Sequence, residues 1–213
     1  MTAYWKFLRS GRVSPFARYP WPGPGHWVEV PAAVPCRQGI HACRPADLPY
    51  WLLDELWQVE LAGEVVSTPT KVVAPRARLL ARVDAWNADM AREFGWECVV
   101  RTAQHAAAEL ADAGLAAPAA DLAQAMAGPP APGEVTAAGI RAVQAAEAAG
   151  AQAAGWLSGY LVDAVGALPT EPVAAVAYIA VRAARHRSVP TDPEAERRWQ
   201  AGWLVRRLDL PGV

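Results

Sequence analysis

A chain of 213 residues, 53% hydrophobic and 19% charged, has apolar material for one large core or two small ones and is too apolar for a disordered segment. Its net charge of −1 argues against a protein that grips nucleic acid, because neutralising phosphates takes a clear basic excess. The most apolar stretch, Pro172 to Val181, falls far short of the ~20 residues needed to cross a bilayer, and three cysteines, an odd number, do not suit a secreted disulfide framework; the expectation is a cytoplasmic protein with neither membrane nor nucleic-acid partner.

The elements follow in chain order. Ala3 to Leu8 is short and aromatic-rich, which suits a strand. Ser14 to Gly25 holds four prolines and two glycines, so a long loop is expected, and its Phe16, Tyr19 and Trp21 suggest that it packs and borders a site. Trp27–Val30 and Gly39–Cys43 are two further short strands. Asp47 is placed to cap a short helix from Leu48 to Asp54. In Leu56 to Leu61, Trp57, Val59 and Leu61 alternate with Gln58 and Glu60, the pattern of a half-buried strand. Lys71 to Leu80 reads as one more strand, at an edge or bulged because Pro75 removes a donor.

The character changes near Asp84. Asp84 or Asn87 begins a helix ending at Gly114, and Asp121 to Met126 forms a short one. Residues 128–133, Gly-Pro-Pro-Ala-Pro-Gly, break the chain. Alanine-dominated Glu134 to Gly155 and then Trp156 to Leu168 read as helices. Thr170 caps a further one, and Thr191 with Glu194 forms a capping box for the last. Strands first and helices afterwards predict an α+β protein: a small, mostly antiparallel sheet domain over 1–84 and an alanine-rich helical bundle over 85–213.

The densest chemistry lies in Cys36-Arg37-Gln38-Gly39-Ile40-His41-Ala42-Cys43. If the second half is extended, His41 and Cys43 share one face, with Ile40 and Ala42 on the other. Three readings follow. Cys36, His41 and Cys43, with the distant His26, hold a zinc ion, although the spacing is not that of common zinc ribbons; or a reactive cysteine pairs with His41; or the thiols are small core hydrophobes around a hydrogen-bonded histidine. Ten tryptophans, seven of them within the first 96 residues, build either a core of few large side chains or a stacking pocket for a flat ligand.

The string Cys-x-x-Gly-Ile-His-Ala-Cys, preceded by the Tyr4–Leu8 strand and followed by Val59-Glu60-Leu61-Ala62-Gly63 and Lys71-Val72-Val73-Ala74, resembles an uncharacterised family of short bacterial and phage proteins. The resemblance covers about residues 3–82. More distantly, Gly39-Ile40-His41-Ala42, the segment with Tyr50 and Trp51, and the strand from Leu56 are similar in order to the nicotinamide-binding elements of ADP-ribosyltransferases. That resemblance implies NAD or a related nucleotide as ligand, His41 and Glu60 as catalytic groups, and Tyr4, Lys6, Tyr50 and Trp51 as cofactor-binding residues. The expected His-Gly pair of the first strand is absent, which weighs against transferase activity. The alternatives are a non-catalytic module that binds a protein through its tryptophan-rich face and helical unit, and a small zinc protein.

Overall fold

The structure, a computed structural model, describes residues 3–129, 131–188, 192 and 194–211. Seven strands come first: β1 Tyr4–Leu8, β2 Trp27–Glu29, β3 Ile40–Ala42, β4 Glu55–Ala62, β5 Val66–Thr68, β6 Lys71–Ala74 and β7 Arg76–Arg82. Six α-helices follow: α1 Ala88–Asp112, α2 Ala116–Met126, α3 Pro132–Ala149, α4 Gln152–Ala167, α5 Val173–Ala184 and α6 Ala195–Arg207. The protein is therefore α+β, with antiparallel sheets preceding helices.

The strands form two antiparallel sheets, one in the order β1-β4-β7-β2 and the other in the order β3-β6-β5. Lys71 to Leu80, expected as a single strand, is two. The chain breaks at Pro75, and β6 and β7 enter different sheets. Proline has no N–H to give a ladder, so the crossing falls where no donor is lost. β7 is not an edge strand, since β4 and β2 flank it. The β4–β7 register shifts at Gln58/Val59, where Leu80 of β7 has no partner and is exposed. A bridge between Trp5 of β1 and Cys43, the residue after β3, links the two sheets (N···O 2.9 and 2.6 Å).

The short helix expected from Leu48 to Asp54 is a 3₁₀ helix over Pro45–Tyr50, begun by Arg44. Asp47 lies within its first turn and still accepts from the Arg44 N–H at 3.0 Å and from its guanidinium at 2.7 and 2.9 Å. Asn87 caps α1, its Oδ1 accepting from the N–H groups of Asp89 and Met90. The helix expected from Glu134 to Gly155 ends at Ala149, because Gly150 turns left-handed (φ 68°) and separates α3 from α4. Pro172, not Thr170, immediately precedes α5. The capping residue expected at Thr191 lies outside the described residues.

The chain divides into two compact units, Met1–Ala91 together with Arg198–Val213, and Arg92–Arg197. The last sixteen residues thus fall with the sheets, not with the helices as the 84/85 boundary implies. The first unit is built on large side chains, with Trp5, Leu8, Leu48, Leu56, Leu79 and Trp86 fully buried. One core cluster joins both sheets through Trp21, Ile40, Ala42, Trp57, Val59, Val72 and Leu79. In the second unit, alanines such as Ala138, Ala142, Ala146, Ala154, Ala164 and Ala180 are buried instead. No described helix is long and apolar enough to cross a membrane.

Candidate functional site

The site begins where β1 and β3 part. Beyond the Trp5–Cys43 bridge the strands no longer exchange backbone hydrogen bonds. The His41 carbonyl accepts instead from the Lys6 side chain, with Nζ 2.6 Å away. The sequence provides for this departure. Gly39, just before β3, has φ 129°, and a Cβ there would stand 2.3 Å from Val73 Cγ1; only glycine fits both constraints.

Between the parted strands lies a cavity of about 380 Å³, within the size range of small-molecule sites, roughly 300–1,000 Å³. Its walls come from β1 (Lys6, Phe7), the residues around β3 (Gly39 to Cys43), β2 (Val28, Glu29), the proline-rich loop (Phe16, Tyr19, Trp21), and Trp51 with Lys71. The loop does border the site. Its Phe16, 79% exposed, meets the Trp51 ring edge-on at 6.3 Å, and Tyr19 meets Trp21 likewise. The indole N–H groups donate to fixed acceptors, Trp21 to Ser14 Oγ (2.9 Å) and Trp51 to the Thr70 carbonyl (2.7 Å). Both rings are therefore held in place and leave their carbon surfaces to the cavity.

Two cations stand against these rings. Lys6 Nζ is 5.3 Å from the Trp21 ring centroid and Lys71 Nζ 5.2 Å from that of Trp51, within cation–π reach. Lys71 also donates to the Cys36 sulfur at 3.7 Å. Lys6 is buried, and among the described residues no carboxylate pairs with it. Burial lowers its pKa to about 8, against a smaller opposing pull from Cys43. The half-buried His41 is lowered to about 4 by burial and by the neighbouring Lys71 and Lys6 charges, so its imidazole is neutral near pH 7. Burial pushes the Cys43 thiol up to about 12.

Of the residues given catalytic, cofactor-binding or metal roles from sequence, four meet around this cavity: Lys6, His41, Cys43 and Trp51. The others do not. Glu60 points away from the core face shared by Val59 and Leu61, and Arg78 holds its carboxylate at 2.6 Å. Tyr4 and Tyr50 are not in the lining, and Tyr50 is exposed. The reactive-cysteine reading gains no support at Cys43, because burial pushes its thiol up while the thiolate is the nucleophile. The zinc reading fails. Among the described residues no three His, Cys, Asp or Glu side chains gather to hold a metal ion. Cys36 is exposed beside Lys71, Cys43 is buried, and His26 is occupied with the Gly23 carbonyl. The tryptophan-rich face is also largely inside, since Trp5, Trp21, Trp57 and Trp86 are buried.

Lys71 was legible only as the start of a strand. Its partnership with Trp51 depends on the β5–β6 hairpin, which returns Lys71 opposite Thr68. Comparison with known protein families, curated proteins and solved structures gave no match to this chain.

Proposed function

We propose that the first unit binds a flat, phosphate-bearing small molecule of the nucleotide class, NAD among them, in the cavity between β1 and β3. One observation carries this reading: two lysine ammonium groups, each held against a tryptophan ring, in a single apolar cavity. Aromatic faces receive a planar base, and fixed cations receive phosphate oxygens. The order of elements that resembles ADP-ribosyltransferases supports NAD or ADP-ribose as the ligand. Transfer chemistry is not part of the proposal, because the carboxylate expected to polarise a ribose, Glu60, is tied to Arg78 on another face. The test is a titration of the full chain with NAD, ADP-ribose and AMP, followed by calorimetry. Binding in the micromolar range, weakened at least tenfold in Trp51→Ala, supports the reading. Absence of heat at millimolar ligand removes it.

A second reading, docking of a protein on the helical unit, is favoured by one cluster. Trp156 and Tyr178 are about half exposed, and His186 lies against both Trp156 (4.9 Å, edge-on) and Tyr160 (5.4 Å, stacked). Rigid aromatics presented at a surface are typical interface anchors. Loss of partner capture in Trp156→Ala, with the fold retained, is the outcome that supports this second reading.

A further inference from the structure

The cavity does not need Lys6 as a cation alone. A buried ammonium with one hydrogen bond is an expensive way to attract an anion, and Lys71 at the same cavity offers a charge that is far easier to solvate. What Lys6 offers that Lys71 does not is a nucleophile. Its amine lines the cavity, anchored by one N–H to the His41 carbonyl at 2.6 Å, without a carboxylate to hold it in the charged form. The Trp21 ring lies beside the amine, its centroid 5.3 Å from Nζ.

We propose that Lys6 forms a reversible imine with an aldehyde carried on a flat, phosphate-bearing ligand seated in this cavity. The inference rests on the small-molecule reading of the cavity above and adds a covalent step to it. The lone pair of the uncharged Lys6 amine attacks the carbonyl carbon. A C–N bond forms as the carbonyl π pair moves to oxygen, which takes up a proton. The resulting carbinolamine loses its hydroxyl as water together with the remaining amine proton, leaving a C=N bond. One water is released and nothing is oxidised or reduced, so no co-reactant is needed. Desolvated lysines serve this chemistry well because more of the amine is uncharged. At pH 7 roughly a tenth of a lysine with a pKa of about 8 is free amine, against about one in 3,000 for an ordinary one. The His41 imidazole, uncharged at that pH, lies in the same cavity lining and adds no competing charge beside the amine. Lys71 at the same cavity is placed for the phosphate.

Two sources of such an aldehyde share this chemistry, an aromatic aldehyde phosphate and the open-chain form of a nucleotide sugar with a free reducing end. The composition makes the experiment clean, because the chain has only two lysines, Lys6 and Lys71. The full chain is incubated with pyridoxal 5′-phosphate or with ADP-ribose, then with cyanoborohydride, which reduces any imine to a stable amine. Intact mass and peptide mapping follow. The expected result is one adduct, on Lys6, formed at least tenfold faster than on Lys71 or the terminal amine. With pyridoxal 5′-phosphate, competition by the carbonyl-free pyridoxine 5′-phosphate should suppress it. Lys6→Arg and Lys6→Met should abolish the adduct, and Lys71→Gln should slow it several-fold. The competition arm uses the unaltered protein, so it decides even if a Lys6 variant does not fold. An adduct confined to Lys71 or the amino terminus with both ligands, or no adduct with either, overturns the inference. Calorimetric binding of the ligand without trapping at Lys6 overturns the imine alone and leaves the binding proposal standing. Trapping with one ligand and not the other names the source.

Discussion

The buried carboxylates of the helical unit and the buried Lys6 of the sheet unit are held in opposite ways. In the helical unit each buried carboxylate is met by donors. Glu109 accepts from the Ser188 N–H at 3.0 Å and its hydroxyl at 2.5 Å, with Arg187 beside it at 3.7 Å. Glu196 accepts from Arg101 at 2.7 Å, with His105 at 3.5 Å. These are internal ties that join distant parts of the chain. In the sheet unit the buried Asp47 is likewise met by Arg44, but the buried Lys6 has, among the described residues, only a backbone carbonyl as hydrogen-bond partner. Matched burial fastens a fold, whereas unmatched burial stores a perturbed group where a ligand can use it. The contrast extends to the apolar side chains. Alanine-lined helices approach closely, while bulky tryptophans pinned by their N–H groups leave room between them.

Five substitutions can break or sharpen this contrast. The largest effect is expected from Glu196→Ala, which leaves the guanidinium of Arg101 and the ring of His105 facing an empty place. Removing one member of a buried pair costs about 3–5 kcal/mol, to be read as a lower urea midpoint. Gly39→Ala should cost about 3 kcal/mol, combining an unfavourable φ with the close approach of Val73, and should also weaken ligand binding because β3 must shift.

Lys6→Met should move in the other direction and stabilise the protein by about 2 kcal/mol at pH 7, the relief from charging a buried amine less one hydrogen bond. The sign follows from the titration. The folded protein holds the Lys6 proton less tightly than the unfolded chain, so the penalty is complete below pH 8 and is relieved as pH rises from 8 to 10.5. Stability of the unaltered protein relative to Lys6→Met should therefore climb across that interval; a flat difference would contradict the burial of a charge. His41 supplies the acid counterpart. Its stabilisation is present above pH 6.5 and is lost as pH falls toward 4, because the unfolded chain takes up the proton first. His41→Asn should flatten that acid limb. The smallest effect is expected from Trp51→Phe, about 1 kcal/mol for the lost bond to the Thr70 carbonyl, detectable as a small fall in melting temperature.

The sequence made much of the fold legible, though unevenly. β1, β2 and β4 could be read because aromatic and alternating residues repeat every second position, and α1 because Asn87 and Gly114 mark its ends. β5 could not, since Val66-Ser67-Thr68 is a strand only by virtue of pairing with β6. The change of sheet at Pro75 was hidden because Val72, Val73, Ala77 and Leu79 form one apolar run whichever sheet they enter. Of the site, His41 and Lys6 were visible as unusual residues in strands. Glu60 was singled out only through the resemblance, and the structure pairs it with Arg78 and leaves it out of the cavity lining. The aromatic loop announced that it packs, and only the coordinates show that Trp21 packs against Lys6.

The sheet unit is discontinuous, leaving off at Ala91 and resuming at Arg198. Its returning segment includes Ala201, Trp203, Leu204, Leu208 and Leu210, all buried. During synthesis these side chains leave the ribosome after every residue of the helical unit. Domains that finish in order from the amino terminus can fold as they emerge, but this one stays incomplete until the helical unit has been made and the residues from Arg198 onward have emerged. A shortened chain that stops anywhere before residue 198 would lack part of the very unit that carries the cavity, and a functional assay on such a fragment would report on an unfinished protein.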